Sequence, residues 1–243
     1  MSQKPLAIVF GGTRGIGAAT VRSLARDGYD VAFTYVSAAD PARALEESIG
    51  SGVRGYAADI CDADAVAKVF SDAAADFGRA PHAVVANAGI NVPPSPMAQF
   101  KTDDFRRLVE VNIVGAFNIL REAAQRVEDG GAVVALTTSL VRHAVGGIGP
   151  YSASKAAVEC MVRSMSKELA GRKVRVNAVA PGPVDTDLFN AGKTDEAKQR
   201  SAAMSPLNRI GTPNEIAEVI GFLVSDKASW MTGQVVQPNG GLV

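Results

Sequence analysis

A tyrosine and a lysine, Tyr151 and Lys155, lie four residues apart at the start of a predicted helix. Residues at positions i and i+4 share one face of a helix, so the phenol and the ammonium point the same way. A carbonyl that accepts a hydride also needs a proton, and a phenol can supply it as a general acid. The ordinary phenol pKa of about 10 is too high for easy exchange near neutrality, and a nearby ammonium lowers that pKa. The pair therefore predicts acid–base chemistry on a carbonyl or an alcohol, although any helix can carry this spacing by chance.

A glycine-rich loop follows the first predicted strand, Leu6–Phe10, and precedes a helix. Glycine lets the backbone turn sharply and approach a pyrophosphate, and the N-terminus of the following helix offers free N–H groups to the phosphates. A glycine cluster alone would also fit a turn with no ligand, but its place between the first strand and the first helix favours a dinucleotide site. The loop residues are Gly11, Gly12, Thr13, Arg14, Gly15, Ile16 and Gly17.

The second predicted strand ends in Tyr35, Val36 and Ser37, with no carboxylate before Asp40. Sites for NAD place an acidic residue at this strand end, where it binds the ribose hydroxyls. A carboxylate would repel the 2′-phosphate of NADP, whereas Arg14 and the Ser37 hydroxyl would bind it. We therefore expect NADP(H) to be favoured over NAD(H). The alternative is that Arg14 is only a solvated loop charge.

Short β-branched runs alternate with longer helical patterns along nearly the whole chain. Several runs are apolar throughout, as in parallel strands covered on both faces. The alternation predicts a Rossmann-type α/β fold, a doubly wound parallel sheet with helices on both faces, in a single domain over residues 1–243. The predicted strands are Leu6–Phe10, Asp30–Tyr35, Val53–Ala57, Ala83–Asn87, Ala132–Thr137, Arg175–Val179 and Val235–Val236. The predicted helices are Gly17–Asp27, Ala42–Ser48, Ala63–Phe77, Asp103–Arg126, Tyr151–Ala170 and Pro213–Val224, with N-caps at Asp62, Thr102 and Thr212.

Charge and composition argue against several classes of partner. Lys plus Arg and Asp plus Glu both number 25, which gives no concentrated basic field for nucleic acid or a membrane surface. No apolar stretch approaches the ~20 residues that cross a bilayer, and the segment Met1–Phe10 is too short for a signal peptide. Cys61 and Cys160 are far apart and lack metal-ligand spacing. We therefore expect reduced thiols, no metal and a cytoplasmic location.

Together the motifs resemble those of the short-chain dehydrogenase/reductase family, most closely its 3-oxoacyl-(acyl-carrier-protein) reductases and related ketone reductases. The likeness extends over almost the whole chain, and the motifs follow the family's order. They are Gly11-x-x-x-Gly15-Ile16-Gly17, Asp59-Ile60, Asn87-Ala88-Gly89, Val111-Asn112, Thr137-Thr138-Ser139, Tyr151-x-x-x-Lys155 and Pro181-Gly182. The resemblance implies a nicotinamide-dependent oxidoreductase.

The resemblance also implies roles for individual residues. Tyr151 would be the catalytic acid/base, and Lys155 would bind the nicotinamide ribose and lower the tyrosine pKa. Ser139 would hydrogen-bond the substrate oxygen. Asn112 would hold, through its helix backbone, a water linked to Lys155; the alternative is that its amide only caps local backbone. The implied cofactor contacts are Gly11, Thr13, Arg14, Gly15, Ile16, Gly17, Tyr35, Ser37, Asp59, Ile60, Asn87, Ala88, Gly89, Tyr151, Lys155, Pro181, Gly182, Val184 and Thr186.

Three positions depart from the family pattern or leave it ambiguous. Phe10 replaces the usual threonine before the first glycine, which removes a hydroxyl-mediated link to the Asn87 turn. Ala86 stands where the family often has a first asparagine. Thr138 lies at the family's commonest distance before the tyrosine, but we assign the substrate-oxygen donor to Ser139 by residue type.

We expect an NADPH-dependent reductase that acts on a 3-oxoacyl thioester or a small ketone. An alcohol, sugar or steroid dehydrogenase shares the same motifs, and a non-catalytic cofactor-binding regulator is disfavoured because Tyr151 and Lys155 are both present. The segment Leu188–Arg209 resembles the family's lid over the substrate. The expected partners are a small carbonyl or alcohol, acyl carrier protein as a further candidate, and copies of the chain itself, since such family members are usually homotetramers.

Overall fold

The computed structural model describes residues 3–243; Met1 and Ser2, the start of the segment considered above as a signal peptide, lie outside the described residues. Its parallel strands are β1 (Leu6–Phe10), β2 (Asp30–Tyr35), β3 (Val53–Ala57), β4 (Ala83–Ala86), β5 (Ala132–Leu136), β6 (Arg175–Val179) and β7 (Val235–Val236). They form one sheet in the order β3-β2-β1-β4-β5-β6-β7. The chain therefore winds outwards from β1 to β3, then returns to the other side of β1 and winds outwards again.

Helices cover both faces of this sheet. They are α1 (Gly15–Arg26), α2 (Ala39–Ile49), α3 (Ala63–Phe77), α4 (Thr102–Leu108), α5 (Ala116–Arg126), α6 (Gly149–Glu168), α7 (Asp187–Asn190), α8 (Asp195–Ala203) and α9 (Pro213–Val224). Helices α3, α5 and α6 bury their apolar residues in the core cluster on one face, and α1, α2 and α9 do so on the other. The predicted doubly wound α/β fold is confirmed.

Strand β1 shows why the sheet needs two covered faces. All of its residues are buried, and successive side chains of a strand point to opposite faces. Ile8 and Phe10 accordingly pack in the cluster of α3, α5 and α6, whereas Val9 packs in the other cluster. A continuous apolar run is the sequence signature of this arrangement.

Most predicted elements are present, with small shifts at their ends. Strands β4 and β5 each end one residue before the predicted position, and α3 and α9 have the predicted bounds. The Asp62 side chain caps α3 by accepting from the N–H groups of Asp64 and Ala65. Thr212 caps α9 through a capping box with Glu215.

The chain is helical over the whole predicted range Asp103–Arg126, but the prediction of a regular α-helix is wrong. A π-helical segment, Val109–Gly115, separates α4 from α5. Such wider turns are rare and often occur at functional sites, and this one contains Asn112. The predicted N-cap at Thr102 is also wrong, because Thr102 is the first residue of α4 and Lys101 occupies the cap position without a side-chain hydrogen bond.

Candidate active site

A cleft of about 320 Å³ lies at the carboxyl ends of the central strands. Its walls include the segments that directly follow β4, β5 and β6, next to the place where the winding direction reverses. Open α/β sheets bind their ligands at this kind of position. The predicted site residues that line the cleft are Ile16, Asn87, Gly89, Ser139, Tyr151, Lys155, Pro181, Gly182, Val184 and Thr186.

Helix α6 presents Tyr151 and Lys155 to this cleft from its first turns. Pro150 stands in the first turn of α6, where a proline fits because the N–H of that position has no partner within the helix. Tyr151 is half-buried, and Lys155 is buried. Both side chains line the cleft, so the structure brings the predicted pair together.

The acidity of Tyr151 is set by burial and by Thr138. Burial raises the pKa of Tyr151 to about 12, because the phenolate loses solvation, and a side-chain hydrogen bond with Thr138 opposes the rise. In the protein without its cofactor, the pKa of Tyr151 therefore lies above its ordinary value, opposite to the lowering expected from Lys155.

The Lys155 ammonium is held against backbone at the bottom of the cleft. Its Nζ donates to the carbonyl oxygen of Leu136 at 3.1 Å. Burial lowers its pKa to about 8, because the charged form is costly away from water. A β-carbon on Gly89 would lie 3.0 Å from Lys155 Nζ and 3.0 Å from Asn112 Oδ1. Gly89 therefore leaves room beside the ammonium that a side chain would fill.

The Asn112 side chain, which lies near Lys155, fixes the turn after β4 through hydrogen bonds. Its Oδ1 accepts from the N–H of Ile90 at 2.8 Å, and its Nδ2 donates to the Ile90 carbonyl at 2.9 Å and to Ser154 Oγ at 3.1 Å. The side chain thus acts as a cap for local backbone, the alternative named from the sequence. Its backbone lies in the π-helical segment.

Thr138 and Ser139 both line the cleft, but they differ in what they contact. The Thr138 hydroxyl accepts from the N–H of Leu140 at 3.3 Å and lies close enough to Tyr151 to affect the pKa of the phenol. Ser139 is fixed through its backbone, whose N–H donates to the Pro181 carbonyl at 3.0 Å. The interaction with Tyr151 favours Thr138 as the second hydroxyl of the site, whereas the sequence favoured Ser139.

The glycine loop is shaped by contacts that exclude β-carbons. Gly11 has φ +79°, and its N–H donates to Thr34 Oγ1 at 3.0 Å. A β-carbon on Gly17 would lie 1.9 Å from the Gly11 carbonyl oxygen. Asn87 Nδ2 donates to that same oxygen at 2.8 Å and to the Phe10 carbonyl at 3.3 Å. The Asn87 amide therefore ties this turn to the loop although the hydroxyl expected at position 10 is missing.

Phe10 has a structural role of its own. It is fully buried, and its ring centroid lies 5.7 Å from that of Phe70 on α3. The exchange of threonine for phenylalanine thus enlarges the apolar core below the loop.

The predicted adenosine-side residues surround the ends of β2 and β3. Arg14 and Ser37 are exposed. Asp59 Oδ1 accepts from the N–H of Cys61 at 2.9 Å. The Ile60 side chain is buried in the core and packs against the Gly115 position of the π-helical segment, so only its backbone is accessible to a ligand. The predicted residues outside the 320 Å³ cleft are Gly11, Thr13, Arg14, Gly15, Gly17, Tyr35, Ser37, Asp59, Ile60, Ala88 and Asn112.

The wall of the cleft opposite Tyr151 is formed by segments that contain no specific sequence motif. Helices α7 and α8 lie within the predicted lid, and Thr186 caps α7 by accepting from the Phe189 N–H at 3.2 Å. The cleft residues that the sequence did not indicate include Leu140, Ile148 and Leu242. Phe189, Lys193 and Met204 also line the cleft, and they lie in the predicted lid segment Leu188–Arg209.

Residues 3–243 lack two further features. No group of three or more His, Cys, Asp or Glu side chains stands close enough to hold a metal ion. In the same residues, no helix combines the length and the apolarity needed to cross a membrane.

Known proteins share this fold and sequence over nearly their full lengths. The family model described as "Enoyl-(Acyl carrier protein) reductase" matches residues 11–243. An NADPH-dependent aldehyde reductase-like protein from Arabidopsis thaliana, described as chloroplastic, is 39% identical over 264 residues, which cover 100% of this chain and 98% of the relative. The 3-oxoacyl-[acyl-carrier-protein] reductase FabG of Staphylococcus aureus is 35% identical, with 100% and 99% covered.

A solved structure shows the same similarity in three dimensions. The short chain dehydrogenase from Burkholderia cenocepacia in complex with NADP superposes with a TM-score of 0.91 at 30% identity, and the match covers 99% of this chain and 98% of that one. The protein is an oxidoreductase of the short-chain dehydrogenase/reductase family, to which the whole matched length of the chain belongs.

Proposed function

We propose that this protein is an NADPH-dependent reductase of aldehydes or ketones. The observation that carries the proposal is the meeting of Tyr151, Thr138 and Lys155 in one cleft that opens at the sheet's winding reversal. The cleft joins a proton donor, a hydroxyl group and a buried cation beside a glycine loop. Relatives at 35–39% identity bear the names of reductases.

The glycine loop and the turn at Gly89 leave room for a dinucleotide cofactor. Gly11, Gly17 and Gly89 stand at places where a β-carbon would collide with or crowd its neighbours, and the N-terminus of α1 follows the loop directly. Free N–H groups at a helix N-terminus are suited to a pyrophosphate. When bound, the reduced nicotinamide supplies the hydride that the carbonyl carbon accepts.

We further propose NADP(H) over NAD(H). Arg14 is exposed at the N-cap of α1, and Ser37 is exposed just after β2. The segment Tyr35–Ser37 carries no carboxylate that would repel a 2′-phosphate. The printed names of the Arabidopsis and Burkholderia proteins, one NADPH-dependent and one bound to NADP, agree with this choice.

Each residue of the cleft would act on the substrate oxygen or on the groups that hold it. Tyr151 would donate its proton to the oxygen as the carbon receives the hydride, so that an alcohol forms. Thr138, rather than Ser139, would donate a hydrogen bond to the same oxygen and stabilise the charge that develops there. Lys155 would bind the nicotinamide ribose and return a proton to the phenolate. Asn112 would support this path by fixing the backbone around Lys155 and by holding a water at its own backbone.

The names of the relatives favour the reductive direction. Relatives at 35–39% identity are called reductases. In reduction the phenol donates a proton, whereas oxidation of an alcohol would need the phenolate as the base. We therefore place reduction ahead of alcohol, sugar or steroid oxidation.

The substrate, the assembly and the location are each proposed on separate grounds. Apolar side chains dominate the wall opposite Tyr151, which suits a small ketone or aldehyde. A 3-oxoacyl thioester carried by acyl carrier protein is supported by the FabG relative. We retain a homotetramer and a cytoplasmic location as proposals on the family resemblance and on the two free cysteines.

A screen of aldehydes, ketones and 3-oxoacyl thioesters, followed by the loss of nicotinamide absorbance, tests the reaction class. We expect turnover of at least one carbonyl class with NADPH and a lower rate with NADH. Tight NADPH binding without turnover of any class would contradict the proposal and favour a regulator.

A further inference from the structure

The side chains that line the cleft are cationic or neutral. Within the part of the chain that the structure describes, its walls contain two lysines, Lys155 and Lys193, and one histidine, His143, but no aspartate or glutamate. Lys155 lies beside Tyr151 and Gly89, in the part of the cleft where the nicotinamide ribose would bind. Lys193 is therefore the cation that remains to contact the substrate.

Lys193 is held in the wall by Phe189. Its Nζ lies 4.2 Å from the centroid of the Phe189 ring and donates to the Phe189 carbonyl oxygen. Contacts between an ammonium and an aromatic face orient the cation without neutralising it. Lys193 remains exposed to solvent, and partial burial of its ammonium lowers its pKa.

No acidic side chain compensates this charge. Among residues 3–243, no carboxylate oxygen lies within 4.0 Å of the Lys193 ammonium. Lys198, five residues along the same lid, differs in both respects: its Nζ lies 3.8 Å from Asp195 Oδ1, and it does not line the cleft. A cation that lines the cleft and has no acidic partner is available to pair with an anionic ligand.

We propose that Lys193 is a specificity-determining residue that selects carbonyl substrates bearing a carboxylate at the end distant from the carbonyl. This inference rests on the proposed reductase function and names its substrate class. Tyr151 and Thr138 would bind the carbonyl oxygen, the apolar wall formed by Ile148 and Leu188 would contact the carbon chain, and Lys193 would pair with the carboxylate. A carboxylate monoanion fits better than a phosphate, because phosphate sites usually combine several backbone N–H groups or an arginine fork.

Matched pairs of ω-oxo acids and their methyl esters test the proposal. The probes are 4-oxobutanoate and 6-oxohexanoate, each compared with its ester under NADPH. We expect wild-type kcat/KM to favour at least one acid over its ester by about tenfold or more at low salt, as for a charge-assisted hydrogen bond. Rising ionic strength should reduce the preference for the acid while the ester rate stays constant.

Variants assign the preference to Lys193. Lys193→Gln should lower kcat/KM for the acid until it approaches that of the ester, with the ester rate and the KM for NADPH unchanged. Lys198→Gln is the matched control and should keep the wild-type preference. An aldehyde that carries a phosphate ester, glyceraldehyde 3-phosphate, is a further arm, and a stronger Lys193-dependent preference for it would overturn the carboxylate assignment.

Other results would overturn the inference altogether. These are equal wild-type use of acid and ester, an equal loss for both substrates in Lys193→Gln, or a raised KM for NADPH, which would assign the lysine to the cofactor. Failure of the proposed reductase function is distinguishable, because then neither acids nor esters nor the wider carbonyl panel would support NADPH oxidation.

Discussion

The Thr138 hydroxyl lies close enough to the Tyr151 phenol to oppose the rise in the pKa of that phenol. Thr138 stands at the N-cap of the short 3₁₀ turn Ser139–Val141, where its hydroxyl accepts from the Leu140 N–H. That bond uses a lone pair of the hydroxyl oxygen and leaves its proton free for donation. A substrate oxygen bound next to the phenol would therefore meet two donors, from Thr138 and from Tyr151.

Alanine substitution of the two neighbouring hydroxyl residues separates their roles. Thr138→Ala should lower kcat by about 100-fold, because a donor to the developing charge is lost. Ser139→Ala should stay within about threefold of wild type, and Thr138→Ser, which keeps a hydroxyl, should retain most activity. Steady-state kinetics under saturating NADPH measures all three. A large loss in Ser139→Ala with an active Thr138→Ala would restore the assignment made from the sequence.

Lys155 should lower the stability of the fold near neutral pH. Its pKa falls from 10.5 to about 8 on burial, so the folded state binds fewer protons than the unfolded state between these values. The cost of neutralising or burying the ammonium is fully present below about pH 8 and disappears as the pH rises through 10.5. Lys155→Met should therefore raise the free energy of unfolding near pH 7 by about 2 kcal/mol, after allowance for the lost bond to Leu136.

Urea unfolding near pH 7 and near pH 10 measures this effect, and the gain should be much smaller at the higher pH. Lys167→Met, at an exposed position on the same helix, is the control and should change stability little at either pH. A Lys155→Met variant that is destabilised, or equally stabilised at both pH values, would show that burial does not disfavour the charge.

Arg14 should discriminate between the two nicotinamide cofactors. Arg14→Gln removes a charge that would pair with the 2′-phosphate, so the KM for NADPH should rise about tenfold or more while the KM for NADH stays constant. Arg22→Gln is the control, since Arg22 lies on the same helix α1 and donates to Ser48 Oγ at 2.8 Å. An equal change in the KM values for both cofactors would show that Arg14 is only a solvated charge of the loop.

Local patterns were enough to predict the sheet and the placement of Tyr151 and Lys155 on one helix face. The apolar run of β1 and the i, i+4 spacing of Tyr151 and Lys155 depend on residues close together in sequence, and the structure has both as predicted. The choice between Thr138 and Ser139 was different, since it depends on where β5 ends and the following turn begins. A shift of one residue there exchanges the side chain that faces the tyrosine.

Other features depend on contacts that a single segment does not encode. The π-helical segment around Asn112 retains a helical sequence pattern, and it contacts Ile60 and the turn at Ile90, which are distant in sequence. Lys193 and Leu242 reach the cleft from distant parts of the chain. Burial raises the Tyr151 pKa by removing water around the phenol, which helical spacing alone does not reveal.

The most direct test of the account removes one oxygen atom from the cleft. Tyr151→Phe should bind NADPH with a Kd within about twofold of wild type, measured by nicotinamide fluorescence, while single-turnover hydride transfer to a carbonyl falls by about 100- to 10,000-fold. Tyr56→Phe, at a tyrosine that donates to Asp76 far from the cleft, should leave both values unchanged. Hydride transfer at the wild-type rate in Tyr151→Phe would contradict the assignment of this phenol as the proton donor.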